Sequence, residues 1–244
     1  MRCFAGSAAL ALALGATGAS ADWMEGDPHK MHYPQLPDPN GLDVNNTYYV
    51  GLADDWQCSE SGPVTDLHVW GSWKGDQVGA IEFVHVAIFD NDLTGAYSKP
   101  GTELWHRDFL AGEFIVRDWG TGDQGWYDAV TGDCLEDDHQ GIYQYNFYID
   151  PGEALVQTEG EVYWLVVSAK LPLGSTEQFG WKTSMSDQFL DTAVWGEVGP
   201  PDPGWQPVTY PGTGEAMDLA FVITPEPDAL LLLALGMTLL RRKS

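Results

Sequence analysis

Positive charge is what this chain most lacks. Its 244 residues hold 11 Lys+Arg against 36 Asp+Glu, a formal net charge of −25. Between residues 22 and 224 the imbalance is sharper, 34 acidic against 7 basic side chains, net −27. Such a surface repels phosphate backbones and anionic lipid heads, which argues against a nucleic-acid partner and against adhesion of this part to a membrane by charge. Cysteine is scarce too, at 3 residues. Cys3 precedes the first apolar run, which leaves Cys58 and Cys134. Two thiols with no third competitor in an oxidising compartment predict a Cys58–Cys134 disulfide, the alternative being two buried free thiols. Catalytic signatures are also missing: there is no G-x-S-x-G elbow, no H-E-x-x-H, no P-loop and no cysteine placed as a nucleophile. No catalytic residue is assigned on this basis, although glycoside hydrolysis needs only two carboxylates at the right separation.

Long apolar runs occur only at the two ends. Met1-Arg2, the run Ala8–Leu14 and the small residues Ala19-Ser20-Ala21 are the parts of a secretory signal peptide, with cleavage expected after Ala21. The other end reads Pro225-Glu226-Pro227-Asp228, then an apolar stretch from Ala229 to Leu240, then Arg241-Arg242-Lys243-Ser244. Two prolines break any strand or helix there, and the basic cluster can hold the tail on the cytoplasmic side of a membrane. These three parts in order, with Pro225, Glu226, Pro227, Arg241 and Arg242 as the marking residues, resemble the PEP-CTERM sorting signal of Gram-negative bacteria that secrete exopolysaccharide. The resemblance implies an exosortase-type membrane protease as partner and a transient inner-membrane anchor through a short C-terminal helix. It also implies delivery to the cell envelope or the extracellular space. A permanent tail anchor is the alternative.

No helical periodicity of useful length follows residue 22. Residues 22–46 are rich in Pro, Asp and Asn and read as an extended entry segment. Beyond them, short β-branched and aromatic runs recur between Gly, Pro and Asp clusters. The expected strands are 65–73, 81–89, 103–109, 113–119, 126–130, 142–149, 161–169, 179–184, 192–195 and 218–223. Tyr143, Tyr145, Phe147 and Ile149 alternate with polar residues, while 83–89 and 162–167 are nearly continuously apolar and therefore central. The expected fold is all-β: a single jelly-roll-like two-sheet β-sandwich at 47–224, flanked by a cleaved N-terminal signal helix and a short C-terminal hydrophobic helix at 225–244. The segments Leu52–Cys58, Gly62–Trp73, Pro100–Trp105 and Phe179–Ser184 resemble those of a family of secreted β-rich domains often found with PEP-CTERM tails or dockerins. That likeness implies placement and fold, not chemistry.

Three constellations can bind a ligand. Asp90, Asp92 and Thr94 offer oxygens at the first, third and fifth positions of a loop with Gly95 at the sixth, the opening of a calcium loop, although Gly101 stands where a twelfth-position Glu belongs. A plain hairpin turn competes with it. The acidic residues Asp133, Glu136, Asp137 and Asp138 with His139, and the pair Asp54-Asp55, can hold a hard cation or simply face solvent. Eleven tryptophans are many, and exposed rings stack on sugars. Trp70, Trp73, Trp105, Trp126 and Trp181 are the candidates, with core packing as the competing role. His68, His85 and His106 sit in expected strands and can converge. The reading that follows is a non-enzymatic exported envelope or matrix protein working amid exopolysaccharide, with no cofactor unless calcium. A carbohydrate-binding module using exposed Trp, and a polysaccharide hydrolase, are the alternatives.

Overall fold

A computed structural model describes residues 22–198 and 204–225. The expected signal peptide lies outside them, as do Glu226, Pro227, Arg241 and Arg242 of the sorting signal and both terminal helices. The described residues are all-β. Fourteen strands run in chain order: β1 (Leu42–Asn45), β2 (Val50–Gln57), β3 (Gly62–Pro63), β4 (Asp66–Trp73), β5 (Phe83–Asp92), β6 (Lys99–Leu110), β7 (Phe114–Tyr127), β8 (Cys134–Tyr148), β9 (Val156–Gln157), β10 (Val162–Lys170), β11 (Phe179–Lys182), β12 (Val194–Glu197), β13 (Gln206–Pro207) and β14 (Phe221–Thr224). A single 3-10 turn, Lys74–Asp76, follows β4.

Two six-stranded sheets form, in the orders β11-β1-β7-β8-β4-β14 and β13-β12-β2-β10-β5-β6, with β3 and β9 as a small extra pair. Apolar residues from both sheets, among them Leu67, Val69, Phe147, Val86, Leu165 and Val167, share one buried cluster. The near-continuous apolar run of β10 is explained by burial on both faces. Tyr163, Leu165 and Val167 belong to the main core, while Trp164 and Val166 pack with Ala53, Ala87, Val194 and Trp205 on the far face.

The two-sheet arrangement holds, but the first sheet also closes on itself. One edge of β4 is divided: Asp66–Val69 faces β14, and Gly71–Trp73 faces β11. Because β11 also pairs with β1, the strands β4, β11, β1, β7 and β8 close into a five-stranded barrel. Glycine permits the closure. A Cβ on Gly71 would stand 2.4 Å from the Gly180 carbonyl oxygen, and one on Gly180 would stand 2.8 Å from both Asp43 Cβ and the Trp126 ring. The entry segment is likewise not merely an entry, since it contains β1, the strand that joins β7 to β11.

The expected disulfide is absent. Cys58 is buried and Cys134 exposed, both as free thiols. The register explains it. Tyr148 of β8 pairs with Asp66 of β4, near Cys58 in the chain, whereas Cys134 pairs with Tyr127 at the opposite end of β8. Fourteen strand residues at roughly 3.3 Å each separate the two ends, far beyond the reach of a disulfide. The Cys58 thiol instead donates to the Glu60 carbonyl at 3.2 Å, and burial raises the pKa of both thiols.

Candidate functional site

The outer face of the second sheet carries a cleft of about 1000 Å³. Strand alternation builds it. On β5, Val84, Val86 and Ile88 turn to the core, which leaves His85 and Phe89 outward. Across the antiparallel ladder His85 stands opposite Asp108, Ala87 opposite His106 and Phe89 opposite Glu103, with a bulge between Ile88 and Phe89. The polar groups pair off. His85 Nδ1 lies 2.7 Å from Asp108 Oδ1, and His106 Nδ1 lies 2.6 Å from Glu103 Oε1. The two imidazoles stack with centroids 5.9 Å apart. Phe89 meets Trp205 edge to face at 6.4 Å, and the Tyr97 hydroxyl fixes the Trp205 carbonyl at 2.8 Å. Tyr48 closes one side, held under the Lys170 ammonium at 5.2 Å. The rim is acidic: Asp90, Asp92, Glu103 and Asp108 face a single cation, Lys99.

Of the calcium-loop residues Asp90 and Asp92 lie on this rim, and all three are engaged in the turn. Asp92 Oδ1 accepts from the Thr94 amide at 2.8 Å and from the Thr94 hydroxyl at 2.6 Å, bonds that lower the Asp92 pKa. Asp90 Oδ1 accepts from the Thr102 amide at 2.5 Å. The three side chains therefore serve a hairpin. No group of three or more His, Cys, Asp or Glu among the described residues is arranged to hold a metal ion.

Four of the five candidate sugar platforms are core residues. Trp70, Trp126 and Trp181 have no exposed surface and Trp73 has 2 %. A ring without exposed surface cannot stack on a ligand. Trp73 Nε1 donates to the Tyr145 hydroxyl at 3.1 Å and Trp181 Nε1 to the Ala220 carbonyl at 2.9 Å. Trp105 is half-buried and donates to the Glu153 carbonyl at 2.9 Å. Phe89 and Tyr48, both half-buried, supply the aromatic surface of the cleft instead, while Trp205, 7 % exposed, backs them from the core. Of the three histidines, His85 and His106 do converge. His68 lies inside the other sheet, 2.7 Å from Asn146.

The remaining acidic candidates split. Asp133, Glu136 and Asp137 are exposed, but they sit on or beside β8 rather than in a free loop, and His139 turns inward from the same strand. Asp54 and Asp55 are the opposite of solvated. Both lie in β2 with no exposed surface. Asp54 accepts from the Gln35 amide at 3.0 Å and the Leu219 amide at 2.6 Å, whereas neither Asp55 oxygen has a partner. Burial, then the charges of Asp218 and Asp191, push Asp55 up to about 9. Burial likewise raises Asp218 to about 6, and raises Asp54 well above the usual carboxylate range with help from Asp218 and Asp55. Tyr33, whose hydroxyl donates to the Asp187 carbonyl, is raised to about 12 by burial and by these carboxylates.

The profile of a family described as a domain of unknown function, DUF7901, matches residues 31–224. The chain belongs to the DUF7901 family. The matched span takes in β1 through β14, so the cleft and the closed barrel both lie inside the DUF7901 domain. Neither the curated proteins nor the solved structures yield a match to the chain.

Proposed function

We propose that this is an exported, non-enzymatic envelope or matrix protein whose DUF7901 domain holds exopolysaccharide in the β5–β6 cleft. The carrying observation is the lining of that cleft. Phe89 and Tyr48 offer apolar surface for the C–H faces of a sugar, and the His–carboxylate pairs offer hydroxyl partners along one edge. Four carboxylates against Lys99 disfavour uronic or sulfated chains, so the ligand class is a neutral or amino-bearing glycan. Glu103 and Asp108 each already hold an imidazole, which favours recognition over a hydrolytic carboxylate pair. The frame is best read as a jelly-roll-like sandwich: the chain passes back and forth between the two sheets, and one sheet has closed. Export through residues 1–21 and exosortase processing at Pro225-Glu226-Pro227 would place the domain amid the polymer, with membrane contact only through the tail.

Affinity electrophoresis of the protein in gels containing a neutral glucan, chitosan or alginate tests the reading. Retardation is expected in the first or second and not in alginate, and Tyr48→Ala with His106→Ala should reduce it about tenfold or more. Equal mobility in all three gels would remove the cleft as a glycan site.

A further inference from the structure

Inside the closed barrel the register sets Asp43 of β1 opposite Lys182 of β11 and level with Trp126 of β7. None of the three has exposed surface, and His139 is 2 % exposed. Lys182 is one of only seven Lys+Arg residues between 22 and 224, yet it is spent on the interior. Its Nζ lies 3.0 Å from Asp43 Oδ2 and donates to the Gly41 carbonyl at 3.1 Å. His139 Nε2 approaches the same Asp43 oxygen at 2.9 Å, while its Nδ1 is held by Asp138 Oδ2 at 3.0 Å. The other carboxyl oxygen, Asp43 Oδ1, is buried without a hydrogen-bond partner.

An amine, a carboxyl group and a proton-carrying imidazole thus meet on one oxygen, away from water. We propose that Lys182 and Asp43 condense into an intramolecular amide that locks the barrel. The ammonium passes a proton to Asp43 Oδ2, and the free amine attacks Asp43 Cγ. The Nζ–Cγ bond forms and the Cγ–Oδ2 bond breaks. Oδ2 leaves as water, carrying two protons that began on Lys182 Nζ. His139 hands one of them across and returns to its starting state, and Oδ1 remains as the amide carbonyl. Nothing is oxidised or reduced.

Three physical effects favour the product. The reactants are held in contact by the barrel, which replaces a bimolecular encounter with an intramolecular one. Condensation removes two buried charges, whose desolvation an ion pair only partly offsets. The orphan Oδ1 also costs less as a neutral carbonyl than as part of a carboxylate. Burial opposes the imidazolium, but the Asp43 and Asp138 contacts outweigh it and hold the His139 pKa above its ordinary value, as a proton donor requires. The bond would join residues 139 apart in sequence.

Tryptic mass mapping of the purified, denatured chain tests this without reliance on any binding activity. In the native protein trypsin should fail to cut after Lys182. The peptide beginning at Leu171 should carry the Asp43 peptide as a branch, the pair lighter by one water, about 18 Da. Lys182→Arg keeps a cation but offers no nucleophilic amine, so the Asp43 peptide should come away free. His139→Gln should leave the pair in place but lower the linked fraction severalfold. Recovery from the native chain of an unmodified peptide ending at Lys182, as abundant as its neighbours, overturns the proposal and leaves a plain ion pair. If either variant fails to fold, the native digest still decides.

Discussion

The domain buries charge in two places and treats it in opposite ways. In the barrel, Asp43 and Asp138 are matched by Lys182 and His139, each contact between 2.9 and 3.0 Å. Beside β2, Asp54, Asp55 and Asp218 are buried together with amide donors alone, and three carboxylate oxygens have no partner. In the first arrangement each buried carboxyl has a nitrogen partner within reach, the juxtaposition from which the Lys182–Asp43 amide would form. In the second, burial without a cation favours the neutral form, most strongly at Asp55, which is raised to about 9, and less at Asp218, raised to about 6. An acidic chain can therefore bury aspartates in either manner, and the number of cations near them decides which.

Removing the cation from the matched cluster should have the largest effect. Lys182→Met removes the proposed amide together with the ion pair that precedes it, leaves Asp43 buried and uncompensated, and is expected to cost about 3–5 kcal/mol or more in guanidinium unfolding. Adding Asp43→Leu should recover most of that loss. A single mutant within about 1 kcal/mol of the parent would mean that Lys182, bonded or ion-paired, matters no more than a surface partner.

The unmatched cluster should show itself in the pH dependence. Unfolded aspartate titrates near 3.8, whereas folded Asp218 and Asp55 do so near about 6 and about 9. The folded state holds protons that the unfolded chain has already shed. This cluster therefore subtracts stability progressively as pH rises from about 4 towards 9. Asp55→Asn should flatten the upper part of a Tm–pH curve and raise Tm at pH 9. Parallel curves for parent and mutant would refute the assignment.

The smallest effect is expected at the cysteines. With both thiols free, Cys134→Ser should change stability by less than about 0.5 kcal/mol. Iodoacetamide should label Cys134 in the native protein and Cys58 only after unfolding. A loss of several kcal/mol, or no labelling at either site without reductant, would restore the disulfide.

How far the sequence could be read follows from local pattern. β4, β5, β8 and β10 were legible because their apolar residues alternate or run on continuously. β2 was not, because Asp54-Asp55 interrupts its centre and aspartate belongs to turns unless protonated or paired. β1 was hidden among prolines and asparagines. The expected strands 113–119 and 126–130 proved to be one, β7, whose pairing with β8 absorbs the intervening Gly residues as register shifts. Barrel closure is a non-local pairing that no single segment announces. In the cleft, His85 and His106 could be noticed as strand histidines. Their partners Glu103 and Asp108 are fixed by cross-strand register, which one sequence does not give. The Trp residues were misjudged for a related reason, since composition counts rings but not the face each one takes.

Barrel closure also has a consequence in time. β7 and β8 are neighbours in the chain and can form as a hairpin, while β1 must wait for β11, 139 residues further on at the Asp43–Lys182 contact. Contacts so distant are slow to form because the intervening chain must first be gathered in. The barrel should close late. Pulse-labelled hydrogen exchange during refolding should protect the amides shared by β7 and β8 before those shared by β1 and β11. Until that last seam closes, β1 and β4 present bare edges to other chains, which makes the interval before closure the period when the protein is most prone to aggregate.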